Sequence, residues 1–165
     1  MNSDDPSRPH VPMTEAVELV ELHPQPAAVV AGHVTTDAIP DFLGSTFGDV
    51  MKVLAEQGLA PAGPPFARWE PRADGFDAKA GFPSTGPVSP AGRVTSQILP
   101  GGSAATAMHR GDYAGIGATY GVLNAWIASH GYVAIGQPWE SYLDEPGVAE
   151  PRTQVYLPCT EVTHR

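Results

Sequence analysis

The sequence predicts an α+β fold, built as a tandem pseudo-twofold repeat of strand-strand-helix-strand-strand units. Two stretches of the chain align at one constant spacing, which pairs Gly58 with Gly131, Gly63 with Gly136, and Trp69 with Tyr142. Upstream, residues 17–28 align with residues 94–105, and the first copy carries a short insertion before its helix. A chain made of two such halves is expected to form one domain with a central groove on its axis.

The predicted strands come in pairs that are separated by turn-forming residues. In the first half they lie at residues 17–22, 27–34, 66–70 and 76–82, and in the second half at 93–99, 104–110, 139–143 and 153–157. The first two strands of each half are predicted to form a hairpin, because a proline-containing turn at 23–26 or 100–103 separates them.

Each half also contains one predicted helix. The first runs from 42 to 57 and ends before Gly58, and its apolar face carries Phe47, Val50, Val53 and Leu54. The second runs from about 114 to 130 and ends before Gly131, and its apolar stripe carries Ile116, Tyr120, Leu123 and Ile127. Both stripes are expected to pack on a sheet.

The length of 165 residues favours a single domain. Residues 1–14 are polar and contain proline, so we expect a disordered tail there and one domain over 15–165. Within the domain, the first half spans about 15–85 and the second about 93–160. A linker rich in Pro, Ser and Gly joins them at about 83–92.

Charge and composition exclude several classes of partner. The net charge of −9 repels phosphate backbones, so nucleic acid is a poor partner and cations are better ligands. Neither a signal peptide nor an apolar run long enough to span a bilayer is present, which predicts a cytoplasmic protein without a membrane partner. Cys159 is the single cysteine, so an intrachain disulfide and a zinc finger are excluded.

The two halves differ at one position that points to chemistry. Where the first half has Ala67 in its third strand, the second half has Glu140. Composition alone favours a solvated carboxylate at a sheet edge. If Glu140 is buried instead, it needs a cation, a hydrogen-bond donor or a ligand, because an unpaired buried charge costs several kcal/mol or becomes protonated.

The second half resembles the GyrI-like small-molecule-binding domain, which is also the effector-binding domain of multidrug-sensing transcription activators. The residues that carry the resemblance are His109 to Tyr113 before the helix, Gly121 within it, Gly136 to Tyr142 after it, and Thr153 to Pro158 in the last strand. The resemblance implies a curved antiparallel sheet with two helices, and a cleft between the halves that binds flat, often cationic organic ligands. It also implies that Glu140 receives the positive charge of the ligand, and it reverses the preference for a solvated carboxylate.

Aromatic residues supply the other candidates for the site. Trp69 and Tyr142 are equivalent, and strand alternation places Tyr142 on the same sheet face as Glu140. Ordinary core packing remains the alternative for each ring taken singly. Trp126, in the stripe of the second helix, is expected to be core.

Four further rings are weaker candidates. Phe47 and Tyr120 begin the inner stripes of the two helices, and each is expected to line either the core or the groove. The core is the better expectation for Phe47. Tyr120 has a hydroxyl that needs a hydrogen-bond partner if it is buried, which favours the groove. Phe42 lies in the insertion of the first copy, where a loop side chain is placed either to cover the cleft as a lid or to anchor the surface. Trp139 should point to the face opposite Glu140 and ranks lower.

Other kinds of site find no support in the sequence. The six histidines are scattered and none pairs at a metal-ligand spacing, so we predict no metal. Gly115 and Gly117 open a helix without the remaining features of a dinucleotide site, so we predict no cofactor. No G-x-S-x-G elbow occurs and Cys159 has no base partner in sequence, which disfavours nucleophilic catalysis.

Two functions from different classes follow. The favoured one is a multidrug-type binding protein, whose aromatic groove with one carboxylate accepts flat, lipophilic, often cationic compounds. The alternative, whose substrate class comes only from the resemblance, is a hydrolase of electrophilic cyclopropane-containing natural products. In it Glu140 is the general base, and Tyr142 or Tyr120 is the proton donor. A third reading, sequestration of a protein partner, rests on the family name alone, and the sequence identifies no such partner.

Overall fold

The computed structural model of the protein describes residues 13–14, 16–112, 115–144 and 148–162. In these residues two helices, α1 (Ile39–Glu56) and α2 (Ile116–Ser129), lie on a curved, open antiparallel sheet. The strands are β1 (Met13–Thr14), β2 (Glu18–Leu22), β3 (Gln25–Val34), β4 (Phe66–Arg72), β5 (Gly75–Pro83), β6 (Val94–Leu99), β7 (Gly102–Arg110), β8 (Tyr132–Ala134), β9 (Trp139–Tyr142) and β10 (Arg152–Glu161). The predicted α+β class is confirmed.

The sheet brings the two halves together along two lines of contact. Its strand order is β1-β7-β10-β9-β4-β5-β3-β6, with β2 also pairing β7 and β8 also pairing β10. Pairs β2:β7 and β3:β6 form one line of contact between the halves, and the short pair β4:β9 forms the other. Every contact between strands of different halves is antiparallel.

The predicted hairpins are wrong, because the consecutive strands β2 and β3 do not pair with each other and neither do β6 and β7. Each pair instead continues in one direction through a kink, so that Leu22 lies opposite Gly102 and Gln25 lies opposite Leu99. A two-residue hairpin turn needs positive φ at its first central residue, and in type I′ also at the second, whereas proline is fixed near about −65°. Pro100, at the first position, therefore excludes both turn types, and Pro24, at the second, excludes type I′.

The two kinked strands cross closely at these prolines. A Cβ atom at Gly101 would lie 2.7 Å from Pro24 Cδ and 2.9 Å from its backbone nitrogen. Only glycine has no side chain at this position, so Gly101 is what allows the strands to pass each other. The close crossing is therefore the physical reason for a glycine at position 101, in the segment that the sequence predicted to be a hairpin loop.

Three further element boundaries differ from the prediction. Met13 and Thr14 are not part of a disordered tail but form β1 against β7, whereas residues 1–12 lie outside the described residues. The insertion of the first half is a 3₁₀ turn (Thr36–Ala38) followed by the first turn of α1, with Pro40 in that turn. Strand β8 was not predicted, since three residues are too short for a periodicity signal.

The sheet has a helix face and an open face, and each carries its own core. Under α1 the core contains Val50, Val53 and Leu54, and under α2 it contains Leu123 and Ile127, as the helical stripes predicted. The core of the open face contains no helix residue and combines Phe66, Leu99 and Trp139, among others. No helix in the described part of the chain is long and apolar enough to span a membrane.

Candidate functional site

Glu140 lies at the line where the two halves meet on the helix face. It is the direct cross-strand partner of Ala67, the residue that occupies its equivalent position in the first half. Its exposed fraction is 6%. The solvated position that composition alone favours is therefore wrong, because the residue is in the middle of a sheet and not at an edge.

Two tyrosines bind the carboxylate of Glu140. Tyr120 of α2 donates its phenol proton to Oε2 at 2.7 Å, and Tyr142 of β9 donates to Oε1 at 3.0 Å. Tyr142 reaches Oε1 because alternation along β9 places it on the same face as Glu140. An ionised carboxylate offers about four acceptor positions, so each oxygen keeps a second one.

Trp69 fixes the direction of this hydrogen-bond chain from the other half of the molecule. Its Nε1, which can only donate, is 3.1 Å from the Tyr142 hydroxyl oxygen. The Tyr142 oxygen therefore accepts from Trp69, and its own proton is directed to Glu140. The two equivalent rings predicted to face the axis are thus in contact, one from each half.

Burial and hydrogen bonding act on the carboxylate in opposite directions. Burial raises the pKa of Glu140, while the hydrogen bonds from Tyr120 and Tyr142 oppose the increase. Burial also raises the pKa of Tyr120, and the negative charge of Glu140 adds to that effect. Tyr120 is therefore a neutral donor at neutral pH.

An apolar wall completes the surroundings of Glu140. Ala67, Ala80 and Tyr142 form a buried cluster, and the partly buried side chains packed against it are Phe42, Leu43, Phe47 and Trp69. The ring of Phe47 lies 6.4 Å from that of Tyr142 and 5.6 Å from that of Phe82. Phe47 therefore lies in the wall and touches Phe82, which packs against the core under α1.

Phe42 is not the loop residue that the insertion predicted. It lies in the first turns of α1 and packs against the core and the wall. Its ring also covers Gly32 of β3, where an added Cβ would be 2.8 Å from Phe42 Cε1. A helical residue held in this way is part of the wall, so the loop lid is wrong.

The two remaining tryptophans have the surroundings that the sequence predicted. Trp139 is buried on the open face, where its ring stacks on Tyr156 at 5.3 Å, so it does not join the other site candidates. Trp126 packs against the core under α2 and stacks on His130 at 4.0 Å. The structure therefore brings six of the seven candidates together: Glu140, Tyr142, Tyr120, Trp69, Phe47 and Phe42.

His109 is a residue of the site that sequence reasoning missed. It is fully buried in β7; its Nε2 is 2.8 Å from the Asp112 carbonyl and its Nδ1 is 3.0 Å from the Thr119 hydroxyl. Since a carbonyl only accepts, Nε2 donates to Asp112, and Nδ1 shares a second hydrogen bond with the Thr119 hydroxyl. Thr119 precedes Tyr120, so His109 ties the first turn of α2 to the sheet. The sequence signal that could have found His109 is strand alternation. His109 follows Ala105 and Ala107 at every second position of β7, which places all three side chains on the same buried face.

The first half has no such contact. Gly32 occupies the position in β3 that His109 has in β7, and the ring of Phe42 fills the space above it. Thr46 corresponds to Thr119 and is fully buried, but its hydroxyl has no hydrogen-bond partner among the described residues. The region around Glu140 is therefore apolar towards α1 and polar towards α2.

The described residues contain no group of three or more His, Cys, Asp or Glu side chains that could hold a metal ion. Cys159 is buried in the core under α2, and burial raises the pKa of its thiol. A buried thiol with a raised pKa is a poor nucleophile. Among the described residues of the site, the acid-base groups are therefore the Glu140 carboxylate, the phenols of Tyr120 and Tyr142, and the His109 imidazole.

Comparisons with known proteins agree with this architecture. Residues 15–160 match the family described as the GyrI-like small molecule binding domain. None of the curated proteins matches the chain.

Several solved structures share the fold. The C-terminal domain of EcmrR has a TM-score of 0.76 at 19% identity, over 89% of this chain and 98% of that domain. In a cryo-EM complex of EcmrR with DNA the match has a TM-score of 0.76 at 20% identity and covers 90% of this chain, which spans 58% of that EcmrR chain. A hydrolase from Listeria innocua has a TM-score of 0.67 at 14% identity, over 87% and 91% of the two chains. SAV2435 bound to tetraphenylphosphonium has a TM-score of 0.56 at 11% identity, over 88% and 94%.

Proposed function

Because the chain belongs to the family of GyrI-like small-molecule-binding domains, we propose that the aromatic site around Glu140 accepts flat, lipophilic, often cationic organic compounds. The observation that carries the proposal is a buried carboxylate at the meeting line of the halves, in contact with Tyr120 and Tyr142 and close to Trp69. The capture of tetraphenylphosphonium by SAV2435, a protein of similar fold, supports the choice of a lipophilic cation.

The physical basis of this binding is an attraction that needs no matched hydrogen bonds. A cation over an aromatic face gains about 0.5–2 kcal/mol. A carboxylate held in low dielectric adds to this, because its charge is weakly screened. Apolar burial supplies the remainder without directional demands, which favours a broad range of ligands. Since burial raises the pKa of Glu140, cation binding should weaken on acidification earlier than it would with a solvated carboxylate.

The test compares charged and neutral ligands of similar shape. Tryptophan fluorescence is titrated with tetraphenylphosphonium and with neutral triphenylphosphine oxide, on wild type, Glu140→Gln and Glu70→Gln. Glu70 is an exposed carboxylate on β4, so its variant removes the same formal charge outside the site. We expect Glu140→Gln to weaken the cation about tenfold, equivalent to about 1.4 kcal/mol, and to leave the neutral compound and the Glu70 variant within about twofold. Cation binding that is unchanged in Glu140→Gln would refute the proposal.

One observation favours a second function, hydrolysis by general acid-base catalysis. A carboxyl group whose pKa is raised by burial is a suitable base for water, and the adjacent phenols of Tyr120 and Tyr142 can donate protons. The hydrolase from Listeria innocua has a similar fold. As substrates we propose electrophilic cyclopropane-containing natural products.

This alternative predicts turnover, which binding alone does not. Such a compound is incubated with the protein, and the ring-opened, hydrated product is followed by mass spectrometry. Hydrolysis predicts a product that wild type forms and Glu140→Gln does not. An intact compound after prolonged incubation with wild type would remove this substrate class and leave binding as the function.

A further inference from the structure

On the open face of the sheet, a groove over β4 and β5 is lined by charged residues of the first half. It has a volume of about 400 Å³, and its charged lining residues are Arg68, Glu70, Asp77 and Lys79. The strand register pairs these residues by sign: Arg68 is the direct cross-strand partner of Lys79. In the same way, Glu70 is the direct partner of Asp77. Like charges directly opposite each other destabilise a sheet, so each pair needs a counter-charge.

The acidic pair has its counter-charge within the chain. Arg72 of β4 binds both acids, because its Nε is 2.7 Å from Asp77 Oδ2 and its Nη2 is 3.1 Å from Glu70 Oε1. His33 lies beside the other oxygen of Asp77, with its Nδ1 2.8 Å from Oδ1. The two negative charges of the groove are therefore bridged by a side chain of the protein itself.

The basic pair has no such counter-charge. Within the described residues, neither Arg68 nor Lys79 forms an ion pair with a carboxylate. Lys79 is exposed, whereas Arg68 is partly buried and its Nε has no hydrogen-bond partner in the same part of the chain. Burial lowers the pKa of the Arg68 guanidinium, as expected for a charge that is partly desolvated without an anion beside it. The net charge of −9 disfavours anions in general, but these two basic groups form a local positive site.

The position of Arg68 suits the binding of an oxyanion. Its Nη2 donates to the Gln137 carbonyl at 2.6 Å, and its guanidinium lies over the Trp139 ring, 5.4 Å from the centroid, so the side chain is held in place. Direct cross-strand partners have Cβ atoms about 4.5–5.5 Å apart, so the charged ends of Arg68 and Lys79 can reach one oxyanion together. A guanidinium binds carboxylate or phosphate through two parallel hydrogen bonds, and an ammonium adds a point charge.

We propose that this groove is a second ligand site, which binds the phosphate or carboxylate group of a small molecule between Arg68 and Lys79. The oxyanion does for the basic pair what Arg72 does for the acidic pair. The second half has the neutral partners Ser141 and Gln154 at the equivalent positions, so the fold itself does not require the two positive charges. The site goes beyond the function proposed above, because it lies on the other face of the sheet and takes ligands of opposite charge.

The experiment titrates inorganic phosphate and succinate into the protein by isothermal titration calorimetry, at constant ionic strength because salt screens exposed charges. Lys79→Gln and Arg68→Gln each remove one charge of the site. Ala31→Glu is the third variant, because Ala31 is an exposed direct partner of Lys79 and a glutamate there supplies an internal counter-charge. Lys52→Gln is the matched control, since Lys52 is an exposed lysine of α1 that does not line the groove. Circular dichroism confirms the folding of each variant.

We expect wild type to bind at least one of the two anions at one site per chain. Binding should be about tenfold weaker in Lys79→Gln and Arg68→Gln, lost in Ala31→Glu, and changed by less than about twofold in Lys52→Gln. Lys79 and Ala31 are exposed, so their variants decide the result even if Arg68→Gln fails to fold. The proposal is overturned if neither anion binds wild type, or if folded Lys79→Gln and Ala31→Glu bind it normally. Equal weakening in Lys52→Gln would also overturn it, because binding would then depend on overall charge and not on the groove.

Discussion

At the scale of single residues, the molecule stabilises one buried acid with hydrogen bonds from phenols, and no salt bridge to it occurs among the residues that the structure describes. Tyr120 and Tyr142 each donate to Glu140, and Trp69 orients Tyr142. Neutral donors lower the cost of the buried charge without cancelling it, which leaves a negative potential for a ligand. An arginine in the same place would remove that potential, because the carboxylate would already have its cation.

This arrangement predicts a specific dependence of stability on pH. Since the pKa of Glu140 is raised above its unfolded value of about 4.3, the folded state holds the proton more tightly. The stabilisation that protonated Glu140 contributes is fully present below the unfolded pKa and is lost as pH rises through the folded pKa. Glu140→Gln, which does not ionise, should therefore gain stability relative to wild type as pH rises above the unfolded pKa of about 4.3, by about 1.4 kcal/mol for each unit of pKa shift.

Urea unfolding of both proteins at several pH values measures this difference. Asp144→Asn provides a control of opposite sign, because hydrogen bonds from Arg152 lower the pKa of Asp144. The stabilisation that ionised Asp144 contributes is present above its unfolded pKa and is lost on acidification. Asp144→Asn lacks this contribution, so it should become less stable than wild type as pH rises. A difference between Glu140→Gln and wild type that does not change with pH would contradict the burial described for Glu140.

At the scale of elements, two equivalent threonines should respond differently to one substitution. In α2 the Thr119 hydroxyl is hydrogen-bonded to His109 Nδ1, whereas the Thr46 hydroxyl in α1 is buried with no hydrogen-bond partner among the described residues. Thr119→Val removes the hydroxyl partner of the buried Nδ1 and should lower the free energy of unfolding by about 1–3 kcal/mol. Thr46→Val removes an unsatisfied hydroxyl at nearly constant volume and should be neutral or stabilising. Urea midpoints measure both, and equal losses would contradict the assigned contacts.

The elements also show what the sequence could and could not predict. Helical stripes such as Val50, Val53 and Leu54 were predictable because packing on one face follows from periodicity alone. The mismatch between Ala67 and Glu140 pointed to the line where the halves meet, because equivalent residues meet where an axis passes between two paired strands. That Glu140 is the centre of a functional site stays a prediction.

The pairing of β2 with β7 was not predictable from local pattern. A short proline turn between two strands favours a hairpin, and only the crossing at Pro24 and Gly101 shows that the chain continues. His109 was missed for a related reason. Its partners at Asp112 and Thr119 depend on how α2 is placed over β7, which the residue spacing does not specify.

At the scale of the whole molecule, the two halves complete each other's sheet and core. Strands β2 and β3 take their partners β7 and β6 from the second half, and the open-face core combines Phe66 of one half with Leu99 and Trp139 of the other. Neither half holds a complete site, because Trp69 comes from the first and Glu140 from the second. Folding and assembly of the site are therefore expected to be one event.

This organisation predicts that the halves do not fold separately. Fragments covering residues 15–92 and 93–162 are each close to the length below which a single core rarely supplies more than about 3–5 kcal/mol, and each loses its strand partners along both contact lines. We expect neither fragment alone to show a cooperative urea transition by circular dichroism. An equimolar mixture should regain the transition, together with the fluorescence response to tetraphenylphosphonium. A cooperative transition in one isolated fragment would show that its half is an independent folding unit, and the crossing at Pro24 and Gly101 would then be a contact between preformed units.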